Sequence, residues 1–285
     1  MDGMLSQLDI TERQSRAIVE RAKVVSGIQI DADKTDFIRL RLSKRVRELG
    51  MLGFDEYITR LKADASGAEM RYVVEALATH TTSFFREKHQ YDWFEKEGLA
   101  MLAQDGGGLD RPLVLWSAAS STGVELWSAG MLLAEAALKS SAHSKFQLIG
   151  TDISRKILVK AKSATYTQDE ITGIDAGRRS RFLMKSKQNL DQRCRPLYRI
   201  VPELRQKAAF EYCNLQEVPA LRPFQADLVF LRNVLIYFDH EAQQSVLDSV
   251  IERLRPGGVL LTGHAEAVAK RSTLRSIGPS TYQKV

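Results

Sequence analysis

The strongest constraint on the fold is a change of grammar at about residue 86. Beyond it, short continuous apolar runs alternate with helical stretches. Residues 113–118 (LVLWSA) form the first run, followed by a turn containing Gly123 and a helical stretch to about Leu138. Residues 146–150 (FQLIG) run into Thr151-Asp152 and a helix from about Ser154. Residues 227–231 (DLVFL) come later, and a helix over about 240–254 stops at Pro256-Gly257-Gly258 before 259–262 (VLLT). Apolar runs without polar alternation are strands buried on both faces, the condition of a parallel sheet. Strands alternating with helices build a doubly wound, Rossmann-like α/β domain.

Before residue 86 the pattern is helical. Across 36–61 apolar residues recur at Phe37, Leu40, Val46, Leu49, Phe54, Ile58 and Leu61, with Gly50 and Gly53 marking a turn between two helices. Residues 70–77 (MRYVVEAL) extend the helical reading, and no proline occurs before Pro112. A chain of 285 residues exceeds what one ordinary core needs. The reading is a small all-helical N-terminal domain over 1–85 and an α/β domain over 86–285.

Charge is uneven. The net charge is +6, yet residues 178–210 hold ten Lys or Arg against Asp191 and Glu203, so this segment alone is +8 and the remainder is −2. A local surplus marks a docking surface for something acidic. The same segment interrupts the strand–helix alternation, and Pro196, Leu197, Tyr198, Ile200 and Val201 predict short antiparallel strands, a small inserted β-subdomain. No apolar run reaches the ~18–20 residues of a membrane span. The start, MDGMLSQLDI, lacks the order of a secretory signal, and Cys194 and Cys213 have neither metal-ligand nor CxxC spacing. The five histidines show no metal spacing either. The expectation is a cytoplasmic protein without a metal site.

In an open α/β sheet, ligands sit at the carboxyl ends of the strands. The first strand ends in a turn of small residues, Ser117-Ala118-Ala119-Ser120-Ser121-Thr122-Gly123; the second ends at Asp152, and a later one at Arg232-Asn233. The first turn is neither GxGxxG nor GxxxxGK[ST], which disfavours a dinucleotide site and removes P-loop chemistry. A carboxylate able to take both ribose hydroxyls, without a pyrophosphate cradle, points to S-adenosylmethionine (AdoMet). The plainer reading of Asp152 is a cap for the following helix.

Five ordered motifs then resemble the chemotaxis protein-glutamate O-methyltransferases, the CheR family. They are THTTSFFR (79–86), WSAASSTGVE (116–125), GTDIS (150–154), RNVLIYFD (232–239) and RPGGVLLTGHAE (255–266), with RLSKRVRELGMLGFDEYITRL (41–61) matching in the helical region. The resemblance implies methyl transfer from AdoMet, leaving S-adenosylhomocysteine, to glutamate side chains on the cytoplasmic helical bundle of chemoreceptors. It assigns His80, Thr82, Arg86, Glu125, Asp152, Asn214, Leu215, Arg232 and Asn233 to the cofactor site. It places Arg86 and Tyr237 beside the transferred methyl group as catalytic residues. The chain departs from the family pattern at His80, Val124, Leu126 and Ala265.

The residues also frame packing and docking expectations. Phe84, Phe85, Trp116 and Trp127 are expected to pack. The basic residues Arg39, Arg41, Lys44, Arg45 and Arg47 form either a solvated face or a surface for an acidic bundle. The chain is expected to be monomeric and to bind no nucleic acid. Two other functions stay open at this level. One is a nucleic-acid methyltransferase, favoured by the pI of about 9.3 but lacking a [DN]PP[FYW] turn after the fourth strand. The other is a non-catalytic AdoMet-binding module.

Overall fold

The computed structural model describes residues 8–104, 106–140 and 145–285; the stretch 1–7 and His143, read above, lie outside the described residues. The chain divides into two compact units. One runs up to Thr79 and includes Tyr237–Gln243, and the other comprises His80–Ile236 and Gln244–Val285.

The helical unit contains α1 (Glu12–Ser26), α2 (Thr35–Glu48), α3 (Phe54–Ala63) and α4 (Ala68–Leu77). Helix α1 begins with a reciprocal cap: Thr11 Oγ1 accepts from Gln14 N, and Gln14 Oε1 accepts from Thr11 N. It ends on Gly27 in the left-handed region, φ +73°. The buried stripe of α2 is Ile38, Leu42 and Val46, one helical row at i, i+4 and i+8. Leu40, expected in the core from its spacing, is 73% exposed because it lies off that row.

A charged cluster closes this core. Glu69, 4% exposed, takes a two-point hydrogen bond from Arg45 Nε (2.8 Å) and Nη2 (2.6 Å), and a third from Tyr57 Oη (2.8 Å). Arg45 is therefore spent inside the fold, and Arg39 pairs with Asp36. Arg41, Lys44 and Arg47 remain exposed on α2. Arg45 pulls the Glu69 carboxyl below its ordinary value, over the opposing effect of burial. A depressed carboxyl stabilises the fold above its unfolded pKa of about 4.3, and that contribution disappears as pH falls through the depressed value. Melting of the full chain is expected to drop on acidification below about pH 5, and Glu69→Gln to flatten that dependence; circular dichroism melts across pH check it.

The second unit opens with α5 (Lys88–Trp93), which passes through a π turn into α6 (Leu99–Ala103). Then come β1 (Leu113–Ser117), α7 (Val124–Lys139), β2 (Phe146–Asp152), α8 (Arg155–Ser163), β3 (Thr165–Tyr166), α9 (Ala176–Phe182), β4 (Leu183–Leu190) and β5 (Pro196–Ile200). The chain continues with α10 (Pro202–Arg205), β6 (Ala208–Tyr212), β7 (Ala226–Leu231), α11 (His240–Glu252), β8 (Leu254–Thr262), β9 (Leu274–Gly278) and β10 (Thr281–Lys284). Among the described residues the main sheet has seven strands in the order β6-β2-β1-β7-β8-β10-β9. Its first five strands are parallel, and β10 and β9 close the far edge antiparallel. Every residue of β1 and β7 is buried, as their unbroken apolar runs require. Trp116 and Trp127 are core, at 0% and 1% exposed.

Three details differ from the sequence reading. Strand β6 belongs to the main sheet, although its first three residues, 208–210, fall inside the segment read as an insertion. Pro256-Gly257-Gly258 lies within β8 at an irregularity in the β7–β8 register, so it bends a strand rather than ending a helix. The small antiparallel sheet, β3-β5-β4, starts at Thr165, before the basic segment. That segment is also partly neutralised from outside: Arg178 pairs with Glu135 and Glu95, and Arg195 with Asp169.

Candidate active site

The carboxyl ends of β1, β2 and β7 converge in the second unit because adjacent parallel strands end on the same side of the sheet. Past β1 the chain makes a tight turn, with Ser120 N donating to Thr151 O and Gly123 N to Ser120 O, both 2.8 Å. Gly123 has φ +84°, and a Cβ there would come within 3.2 Å of Trp127, Phe210 and Ala161. This turn accepts only glycine at that position.

Asp152, 6% exposed, anchors the turn. Its Oδ2 accepts from Ser121 N (2.8 Å) and its Oδ1 from Ser154 N (2.9 Å). The cap of α8 is Ser154, whose Oγ accepts from Ile157 N. The helix-cap reading of Asp152 therefore gives way to a carboxylate joining two strand ends. Asn214 caps the 3-10 turn Leu215–Ala220 beyond β6, through Gln216 N, and both Asn214 and Leu215 are buried. Burial, helped by Glu217, pushes the neighbouring Cys213 thiol up to about 12, so it stays protonated.

The segment carrying His80, Thr82 and Arg86 is fixed to this turn. Ser121 Oγ donates to His80 O (3.0 Å), and Phe85 N donates to Ser128 Oγ (3.0 Å). Phe84, 2% exposed, meets Tyr166 edge-on at 5.0 Å. Phe85 packs on Tyr91 and lies under Arg178. Both phenylalanines pack, as expected. Thr82 and Arg86 are half-buried, and Arg86 Nη1 donates to Thr81 O (3.0 Å).

Arg232 is the hub of the site, with 1% of its side chain exposed. Its guanidinium reaches Glu125 Oε2 at 3.1 Å and Glu87 Oε2 at 3.2 Å, and it donates to the backbone oxygen of Arg86. Glu125 also accepts from Ser117 Oγ (2.7 Å). Burial drives the Glu125 carboxyl above its ordinary value against the pull of Arg232. At Glu87 burial acts in the same sense, but Arg232 and Asn233 outweigh it and the net displacement is downward. Arg232 and Glu125, read from sequence as cofactor contacts, are thus turned chiefly toward each other. Val124 and Leu126, which replace the family's acidic and proline residues, are buried beside Glu125.

Asn233 has φ +56°, its N–H donates to Glu266 Oε2 (2.7 Å) and its amide donates to Glu87 Oε1 (3.2 Å). Tyr237 ends the short turn Leu235–Tyr237; its carbonyl accepts from Gln29 N (2.7 Å), and it groups with the helical unit. Glu87, Tyr91 and Glu266 were missed by sequence reasoning. Glu266 stood in a quoted motif and Glu87 directly after another, but spacing says nothing of which charges meet.

Comparison with known proteins decides the lineage. Residues 80–283 match the CheR methyltransferase, SAM binding domain, and residues 14–78 match the CheR methyltransferase, all-alpha domain. The chain belongs to the CheR methyltransferase family. It is 33% identical to chemotaxis protein methyltransferase 2 of Pseudomonas aeruginosa over 95% of this chain and 93% of that one. It is 31% identical to the chemotaxis protein methyltransferase of Salmonella typhimurium, covering 92% and 86%, and 30% identical to that of Escherichia coli, covering 98% and 93%.

This CheR-family chain is an AdoMet-dependent methyltransferase of chemotaxis, and its residues fit the cofactor. Ser120 Oγ and His80 Nε2 are buried with no partner among the described residues, so both are open to a polar ligand. Both belong to the segments joined through Ser121 at the strand ends. Among the described residues no His, Cys, Asp and Glu cluster suits a metal, and no helix is long and apolar enough to cross a membrane.

Proposed function

We propose that this chain esterifies glutamate side chains on the helical cytoplasmic bundle of chemoreceptors. The observation that carries the reading is that the glutamates around the strand ends, Glu125, Glu87 and Glu266, are committed to the protein itself. Glu125 and Glu87 face Arg232, Asp152 takes two backbone N–H groups, and Glu266 takes four. Amine or hydroxyl methylation calls for a group to take up a proton. A glutamate acceptor, with an ordinary pKa of about 4.3, is already ionised at pH 7 and calls for none.

Bound AdoMet supplies a methyl already activated by its sulfonium. The chain's task is to hold the acceptor oxygen in line with that methyl and to remove its water, and orientation of this kind supplies up to ~7–11 kcal/mol of a barrier. In this reading Asp152 takes the ribose hydroxyls, and His80, Thr82, Ser120, Asn214, Leu215 and Asn233 complete the cofactor contacts. The Arg86 guanidinium positions a carboxylate, either the acceptor's or that of the methionine moiety. The role of Tyr237, orienting through its hydroxyl, rests on the family resemblance alone. Arg41, Lys44 and Arg47 on α2 offer an acidic bundle a cationic row, in a cytoplasmic, monomeric enzyme.

The test is transfer of labelled methyl from AdoMet into receptor-bearing membranes, followed by mild alkali. Label is expected to leave as volatile methanol, the mark of a carboxyl ester. Label that stays bound would indicate an N-methyl or ether product. No transfer at all, with AdoMet bound, would leave a non-catalytic module.

A further inference from the structure

We infer that Glu266 is a positioning residue of the methyl-transfer site, acting through the turn that follows β7. The residue is 5% exposed, and its carboxylate receives four backbone N–H groups. Oε2 accepts from Asn233 and Gly263, each at 2.7 Å, and Oε1 accepts from Leu235 (2.7 Å) and Ile236 (3.4 Å). Three of these amides come from one turn, residues 233–236, and the fourth from the end of β8, so backbone N–H groups ring an anion that is a side chain of the same protein. This nest fixes Asn233 at φ +56°, the left-handed conformation that asparagine tolerates better than other non-glycine residues.

The arrangement has no slack. A Cβ on Gly263 would lie 2.6 Å from Glu266 Oε2 and 2.9 Å from Asn233 N, so only glycine lets the carboxylate close on the turn. Thr262 Oγ1 donates to Glu266 O (3.0 Å), fixing the end of β8 to the same residue. The consequence reaches the site because the clamped turn carries Asn233 and directly follows Arg232, whose guanidinium holds the Arg86 carbonyl.

Both carboxylate oxygens accept from two N–H groups, so an amide is not a substitute. Either orientation of a glutamine aims its NH2 at two backbone donors. Glu266→Gln is expected to raise the AdoMet dissociation constant of the full chain at least about tenfold, read by calorimetry without acceptor. Glu266→Asp, which keeps the charge but loses a methylene, is expected to fall between, and it serves if the glutamine variant does not fold. The matched control is Asp227→Asn. Asp227 is also buried and bonds Val114 N (2.8 Å) and Arg111 (2.7 Å), but at the amino end of β7. It is expected to lower the melting temperature while leaving AdoMet affinity unchanged. Unchanged affinity in both Glu266 variants, or equal loss in Asp227→Asn at equal melting temperature, would overturn the role. The inference rests on AdoMet dependence and not on the acceptor, so it stands or falls separately from the glutamate reading.

Discussion

Arg86→Ala is expected to lower kcat/KM for methyl transfer by at least about a hundredfold and to leave the fold in place. The side chain is half-buried, its guanidinium donates to Thr81 O, and its charge acts on the buried Glu125 only as a lesser influence behind Arg232. The backbone at Arg86 is held separately, through its carbonyl, by Arg232. Truncation therefore removes a charged, forked donor from the site without unpairing a buried charge. Loss of one preorganised donor at a reacting centre costs about 2.7–4 kcal/mol of transition-state stabilisation, a factor of ~10²–10³. Arg86→Lys keeps a point charge but not the fork and recovers part of the rate. Steady-state kinetics separate the two carboxylates Arg86 is able to hold. A rise in KM for AdoMet assigns it to the methionine moiety, a rise in KM for the receptor assigns it to the acceptor, and full activity removes it from the site. The melting temperature is the control.

Arg232→Met destabilises the second unit by about 3–5 kcal/mol, the usual cost of removing one member of a buried ion cluster. The Arg232 side chain is 1% exposed, and the side chains of Glu125 and Glu87, 15% exposed each, both pair with it. Without it, two carboxylates share one low-dielectric space, and burial already drives Glu125 upward with Arg232 present. Neutralising the partners relieves this, so a triple variant with Glu125→Gln and Glu87→Gln is expected to regain much of the loss. Urea unfolding of the single and triple variants measures the difference as a shift in midpoint at constant slope. AdoMet binding does not return with stability in the triple variant, because the hold on the Arg86 carbonyl is still missing. Equal stability of Arg232→Met and the parent chain would show that the cluster contributes nothing net.

These two arginines mark how far the sequence could be read. Arg86 and Arg232 both stood in recognisable motifs, THTTSFFR and RNVLIYFD. Which protein groups each would meet was not legible. Arg232 meets residues 107 and 146 positions away in the chain, and no local spacing encodes that meeting. Arg45 gives the same lesson in the helical unit. It read as one of five basic surface residues until Glu69, 24 positions on, took it inward.

Strands show the same division. Residues 113–117 and 226–231 were evident because a strand buried on both faces must be apolar at every position. Residues 208–212 (AAFEY) form the edge strand β6, whose side chains are only partly covered, so neither an apolar run nor a clean alternation announces it. The polar hairpin β9–β10 at the opposite edge was silent for the same reason.

The sequence by itself determined the helical and α/β parts, the parallel sheet and the family. Each follows from local pattern: periodicity, the small residues a tight turn demands, and ordered motifs. Only the tertiary structure decided the partners. Glu125 and Glu87 neutralise Arg232, Asp152 joins two strand ends instead of capping a helix, and Glu266 fills a nest of amides. Partner choice inside a low-dielectric interior depends on which charges arrive within about 3 Å of one another. That is set by how β1, β7 and β8 stack in register, and not by any stretch of chain taken alone.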